Sequence, residues 1–128
     1  REGVMTHKSR IGAVCIDCRT DDLGPAVAFW SGLLGMEGEV DEDGKYAAFD
    51  GHTGYPKVML QKVDHDPRVH LDIETDDKDA ECERLKALGA KEVVRIKTWI
   101  VMEAPTGQRF CLVGPQGDDW PGDAKEVG

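Results

Sequence analysis

The sequence predicts an α+β fold of two tandem βαβββ-type modules, each mainly antiparallel, on three observations. The first is an internal repeat. Shifted by 55 positions, Val14 meets Val69, Ile16 meets Leu71, Asp17 meets Asp72, and Thr20-Asp21-Asp22 meets Thr75-Asp76-Asp77. The second is that each Thr-Asp-Asp string precedes a stretch with helical apolar spacing and a Leu-Gly stop, Leu34-Gly35 and Leu88-Gly89. The third is a series of short β-like runs after each helix, separated by turn chemistry.

The elements follow in order. Ala13-Val14-Cys15-Ile16-Asp17-Cys18 reads as a strand. A helix is expected near residues 22–34. Asp21 or Asp22 is placed to cap its free N–H groups, and Pro25 suits its first turn. Leu23, Ala26, Val27, Trp30, Leu33 and Leu34 form its apolar stripe, so Trp30 is read as core. Tyr46–Phe49 and Lys57–Val63 follow as strands, with Asp43-Gly44 and Asp50-Gly51 as turns. Polar residues 64–68, with Pro67, read as the linker between halves. The second helix is expected near 77–88, with Cys82, Leu85 and Leu88 inward and Glu81, Glu83, Arg84 and Lys86 solvated. Residues 92–96, 98–102 and 109–113 are its strands. The domain therefore spans 10–115, as modules of roughly 10–64 and 65–115. Residues 1–9 and 116–128 are tails, the latter ordered only where Trp120 finds a groove.

Bulk composition narrows the function. With 128 residues, 40% hydrophobic and 32% charged, a packed core is expected. The net charge of -9 argues against nucleic acid and anionic membrane as partners. No apolar run approaches the roughly 20 residues of a membrane span, and no leader pattern is seen. With four free thiols, the expectation is a cytoplasmic protein. Cys15 and Cys18 have CxxC spacing. On a strand, however, positions i and i+3 point to opposite faces, which argues against a redox or zinc-knuckle pair. There is no Ser/His/Asp order, Walker-type loop or dinucleotide fingerprint. His52, between loop glycines, is read as solvated.

Three strings point to one family. Asp22-Leu23 followed by Ala28-Phe29-Trp30 and Leu34-Gly35-Met36, then Arg68 to Ile73, then Pro105 to Leu112, resemble the first helix, second-module strand and last hairpin of the glyoxalase/bleomycin-resistance/dioxygenase (vicinal oxygen chelate) superfamily. The short glyoxalase-like domain proteins are the nearest subgroup. The resemblance implies two modules whose sheets form a curved cleft. In metal-dependent members the cleft holds a divalent cation on His, Glu or Gln.

Carried over by position, the first-strand ligand falls on Cys15 and the second-module ligand on His70. The last-strand ligand falls on Cys111. The remaining position lies on the Lys57–Val63 strand, where Gln61 is the plausible ligand beside Met59. The expected carboxylate and first histidine are thus thiols. Two readings stand: a soft Cys/His site that suits zinc, or a lost metal site whose cleft binds an organic ligand directly.

The second reading leads: no metal, no cofactor, and a small organic ligand in a cleft lined by Cys15, Gln61, His70, Trp99, Arg109 and Cys111. His70 is the candidate general base, and Arg109, on the face of Cys111, favours an anionic ligand. The alternative is a metal-dependent lyase, isomerase or dioxygenase. Open sheet edges and exposed apolar surface predict a homodimer.

Overall fold

The computed structural model describes residues 5–50, 54 and 56–128. His52 lies outside the described residues. In chain order the elements are β1 (His7–Arg19), α1 (Gly24–Leu34), β2 (Gly38–Val40), β3 (Tyr46–Phe49), β4 (Lys57–Val63), β5 (Arg68–Thr75), α2 (Lys78–Ala87), β6 (Lys91–Ile96), β7 (Trp99–Glu103), β8 (Arg109–Val113) and β9 (Lys125–Val127). They fall into two compact units: Ala13–His70, and Arg1–Gly12 together with Leu71–Gly128.

In the unit of residues 13–70 the strand order is β2-β3-β4-β1. β4 pairs antiparallel with β3, whereas β1 joins β4 in parallel, with Cys15 beside Met59 and Asp17 beside Gln61. Leu23, Ala47, Phe49 and Leu60 form the core, with Ile16, Cys18, Val27 and Trp30 packed against it. Trp30 thus packs against the core, edge-on to an exposed Phe29. The helix begins two residues later than expected. Its cap is Leu23 without a side-chain bond, while Asp22 instead accepts from the Gly24 N–H at 2.9 Å. Gly35 ends the helix at φ 66°, a left-handed conformation that glycine adopts without Cβ strain.

The second unit has the order β5-β8-β7-β6, again with β5 parallel to β8 and the other two pairs antiparallel. The sheets are therefore mixed rather than wholly antiparallel. A parallel first strand needs a crossover, and α1 and α2 supply it in the two units. Cys82, Ile100, Met102 and Leu112 make this core, backed by Ile73, Leu85 and Phe110. Asp77 caps α2 by accepting from the Ala80 N–H at 2.9 Å.

Two expectations need correction. Glu81, read as solvated, is 1% exposed, because His7 and Arg84 both hydrogen-bond its carboxylate. Leu88, read as part of the inward stripe, is 66% exposed beyond the last turn of α2. Pairing also joins two segments far apart in the sequence. β9 pairs with His7–Ser9, and Trp120 lies over the Arg10 guanidinium at 5.2 Å. Beyond these, the short strand β2 has no counterpart in the sequence reading. Three residues are too few for a period-2 pattern to register.

Candidate functional site

Strand alternation decides which residues can form a site. In the unit of residues 13–70, Ile16, Cys18 and Leu60 point into the core. Their neighbours Cys15, Asp17, Met59 and Gln61 therefore share the opposite sheet face. Tyr46 and Ala48 join that face beside Gln61 and Met59. Of the expected residues, Cys15, Gln61 and His70 belong to this unit. A ring nitrogen of His70 and the sulfur of Cys15 lie within 4.8 Å of each other.

The partner of His70 is a residue the sequence reading did not single out. Asp17 is 4% exposed, and each of its carboxylate oxygens lies 3.0 Å from His70 Nδ1. Oδ2 receives the hydrogen bond, and Oδ1 is buried without one of its own. A carboxylate accepts, so Nδ1 carries the proton. A signal for Asp17 was present: it is two residues from Cys15 on one strand, hence on the same face. The pairing partner, 53 positions away, was not legible.

Two further groups surround Asp17. Arg68 Nε stands 3.6 Å and His65 Nε2 3.9 Å from Oδ2. The tautomer of His65 follows from its partners. Arg68 Nη2 donates to Nε2 at 3.2 Å, and Nδ1–H donates to the Asp66 carbonyl at 2.7 Å. His65 is thereby fixed as the other ring of a polar cluster about one buried carboxylate. Gln61 and His65 also line an open depression of about 680 Å³ with Arg19, Thr20, Asp21, Lys62, Val63 and Asp64. The supposed linker thus contributes side chains to this surface.

The other three expected residues lie in the second unit. Ile100, Met102, Phe110 and Leu112 pack in its core, so Trp99, Val101, Arg109 and Cys111 share the opposite face. Arg109 Nε donates to Glu103 at 3.0 Å, which occupies part of the guanidinium. Cys111 sits beside Asp72 in the β5–β8 register.

The thiols differ in setting. Burial, then the Asp17 charge, pushes the Cys18 thiol above its ordinary range. Burial, then the hydrogen bond to Glu92 at 3.2 Å, does the same to Cys82. Cys15 is as buried as Cys82, and its sulfur stands near the His70 imidazole.

Residues 13–113 match the model of the glyoxalase-like domain, and the chain belongs to that family. The Mn(II)-bound glyoxalase from Novosphingobium aromaticivorans shares the fold at a TM-score of 0.59 and 21% identity, over 92% of this chain and 45% of its own. A hypothetical protein from Bacillus halodurans C-125 gives 0.56 at 12% identity, over 86% and 98%. A catechol 2,3-dioxygenase gives 0.53 at 20% identity, over 84% and 42%. The chain spans a little under half of the glyoxalase and of the dioxygenase. At these identities the likeness is one of fold. No curated protein matches the chain.

Proposed function

We propose that this glyoxalase-like protein binds a small organic molecule, as bleomycin-resistance proteins do, on the sheet face that carries Cys15, Gln61 and His70. The observation that carries the reading is the Asp17–His70 pair: a half-buried imidazole oriented by a buried carboxylate, which is how binding sites fix a ligand with few polar groups. The face of Trp99, Arg109 and Cys111 in the second unit is proposed to contact ligand as well. The usual hard-cation set is incomplete on this face, because a thiol, Cys15, stands at the first-strand position. A ligand screen by thermal shift tests the reading. A binder at a hundred times its Kd stabilises the native protein by about 2.7 kcal/mol. His70→Ala and Arg109→Ala should each reduce that shift, and equal shifts in all three proteins would refute the assignment.

A second reading has its own observation. Cys15 and His70 offer a thiol and an imidazole within 4.8 Å, and Asp72 follows His70 by two residues along β5. Such a donor set suits zinc, whose chemistry would be Lewis-acid activation of a bound oxygen in a metal-dependent lyase, isomerase or dioxygenase. Metal analysis of untagged protein separates the two, since near-stoichiometric zinc favours the second.

We also propose a homodimer. All six residues of the end strand β6 are exposed, Val93, Val94 and Ile96 among them, and Phe29 and Leu33 are exposed on α1. Apolar side chains along an open edge favour association. Light scattering at tens of micromolar protein should give twice the mass of 14.1 kDa, and a monomer there would exclude it.

A further inference from the structure

We propose that residues 115–127 form a strap that closes one end of the ligand-bearing face of the second unit and lifts locally to admit the ligand. This rests on the binding reading of the face of Trp99, Arg109 and Cys111, and adds a route of access to it. Strand alternation places the strap on that face. His7 reaches Glu81 on α2, so its side chain points to the helix side of the sheet. Arg10, three residues on, points to the opposite side. There its Nε donates to Glu74, which alternates with the core residue Ile73 and stands beside Val113 in the β5–β8 register. Asp72 and Cys111 are the next pair along the same face.

The strap is fastened to Arg10. Asp119 accepts from both Nη1 and Nη2 at 3.2 Å, Asp123 stands 3.6 Å from Nη1, and the Trp120 ring lies 5.2 Å from the guanidinium carbon. Gly122 bends the chain round that group. Its φ is 48°, and a Cβ there would lie 2.8 Å from Nη1. β9 adds a ladder of three residues against the start of β1. This fastening is polar, and it can open at small cost. Residues 114–128 are all at least partly exposed, so lifting them uncovers little apolar surface. The Asp119 and Asp123 side chains are 51% and 78% exposed, and water replaces Arg10 as their partner. Arg10 keeps Glu74, so no buried charge is left alone. Gly114 and Gly117, on either side of Pro115 and Gln116, supply the hinge.

Hydrogen exchange of the full chain, read by peptide mass spectrometry, tests the lifting. Amides of the strap are expected to exchange at least about a hundredfold faster than those of β8. Asp119→Ala should speed the strap about fivefold more, the usual worth of an exposed ion pair. Access is tested with anilinonaphthalene sulfonate (ANS), an apolar anion suited to a tryptophan and an arginine, followed by stopped-flow fluorescence. A ligand admitted through the open strap associates at a rate scaled by the open fraction. Asp119→Ala should therefore raise the ANS on-rate by the same factor of about five. Arg109→Ala should weaken ANS binding about tenfold, which ties the dye to this face. Strap amides no faster than those of β8 would overturn the strap as a moving part. Faster strap exchange in Asp119→Ala with an unchanged ANS on-rate would overturn the gate and leave the binding reading standing. ANS affinity untouched by Arg109→Ala would reject the binding reading of this face and the gate with it, whatever the exchange shows.

Discussion

Replacing Arg10 by alanine is expected to destabilise the protein by about 3–5 kcal/mol, the usual consequence of leaving one member of a buried ion pair alone. Arg10 is 8% exposed, and its Nε donates to Glu74, itself 2% exposed, at 2.9 Å. Burial works against the guanidinium charge, but hydrogen bonds to Asp119 and Glu74 more than offset it and raise its pKa. Without Arg10, Glu74 keeps its place with no cation. It cannot swing aside easily, because its side chain lies against the Cα of Gly12, where a methyl group would come within 2.5 Å of Glu74 Cγ. The Asp119 arm is more exposed, so Asp119→Ala should cost no more than about 1 kcal/mol. Replacing both Arg10 and Glu74 with apolar residues of similar volume should restore most of the loss. Urea titrations of the four proteins test this. A single replacement of Arg10 no worse than that of Asp119 would show that the pair contributes nothing.

Acid should act through Glu81. Burial raises the affinity of this carboxyl for a proton, but bonds from Arg84 at 2.7 and 2.8 Å and from His7 at 2.6 Å outweigh it, so its pKa lies below the ordinary 4.5. A carboxyl depressed on folding stabilises the native state above its unfolded pKa. That contribution is lost as pH falls through the folded pKa. Stability should therefore decline below about pH 4.5, with a slope of at most about 1.4 kcal/mol per pH unit from this one proton. In Glu81→Gln the protein should be weaker at neutral pH and its decline below 4.5 shallower. Parallel acid curves for the two proteins would rule out Glu81 as the group responsible.

These two sites also mark what the sequence concealed. Helix and strand order was legible because it is written locally, in Thr-Asp-Asp starts, Leu-Gly stops and period-2 runs. Cys15 and Gln61 were brought together by the family resemblance, because alternation along one strand does not fix the register of another. Arg10, His7, Glu74 and Glu81 were not. Charged residues are ordinarily solvated, and only their partners 64 and 74 positions away explain their burial. Asp17 lay on the same strand face as Cys15, but the histidine it pairs with is 53 positions away. β9 failed for want of length. Three residues carry no pattern, and their strand character comes entirely from pairing with the start of β1.

That pairing sets the order in which a growing chain can finish its structure. Every residue of the unit spanning 13–70 is available once His70 has been made. The other unit is drawn from both sides of it in sequence, and His7 must wait for Val127. During synthesis the start of β1 emerges with no partner strand, carrying a histidine and an arginine whose acids have not yet been translated. One unit can therefore fold before the other, which is completed only when β9 arrives.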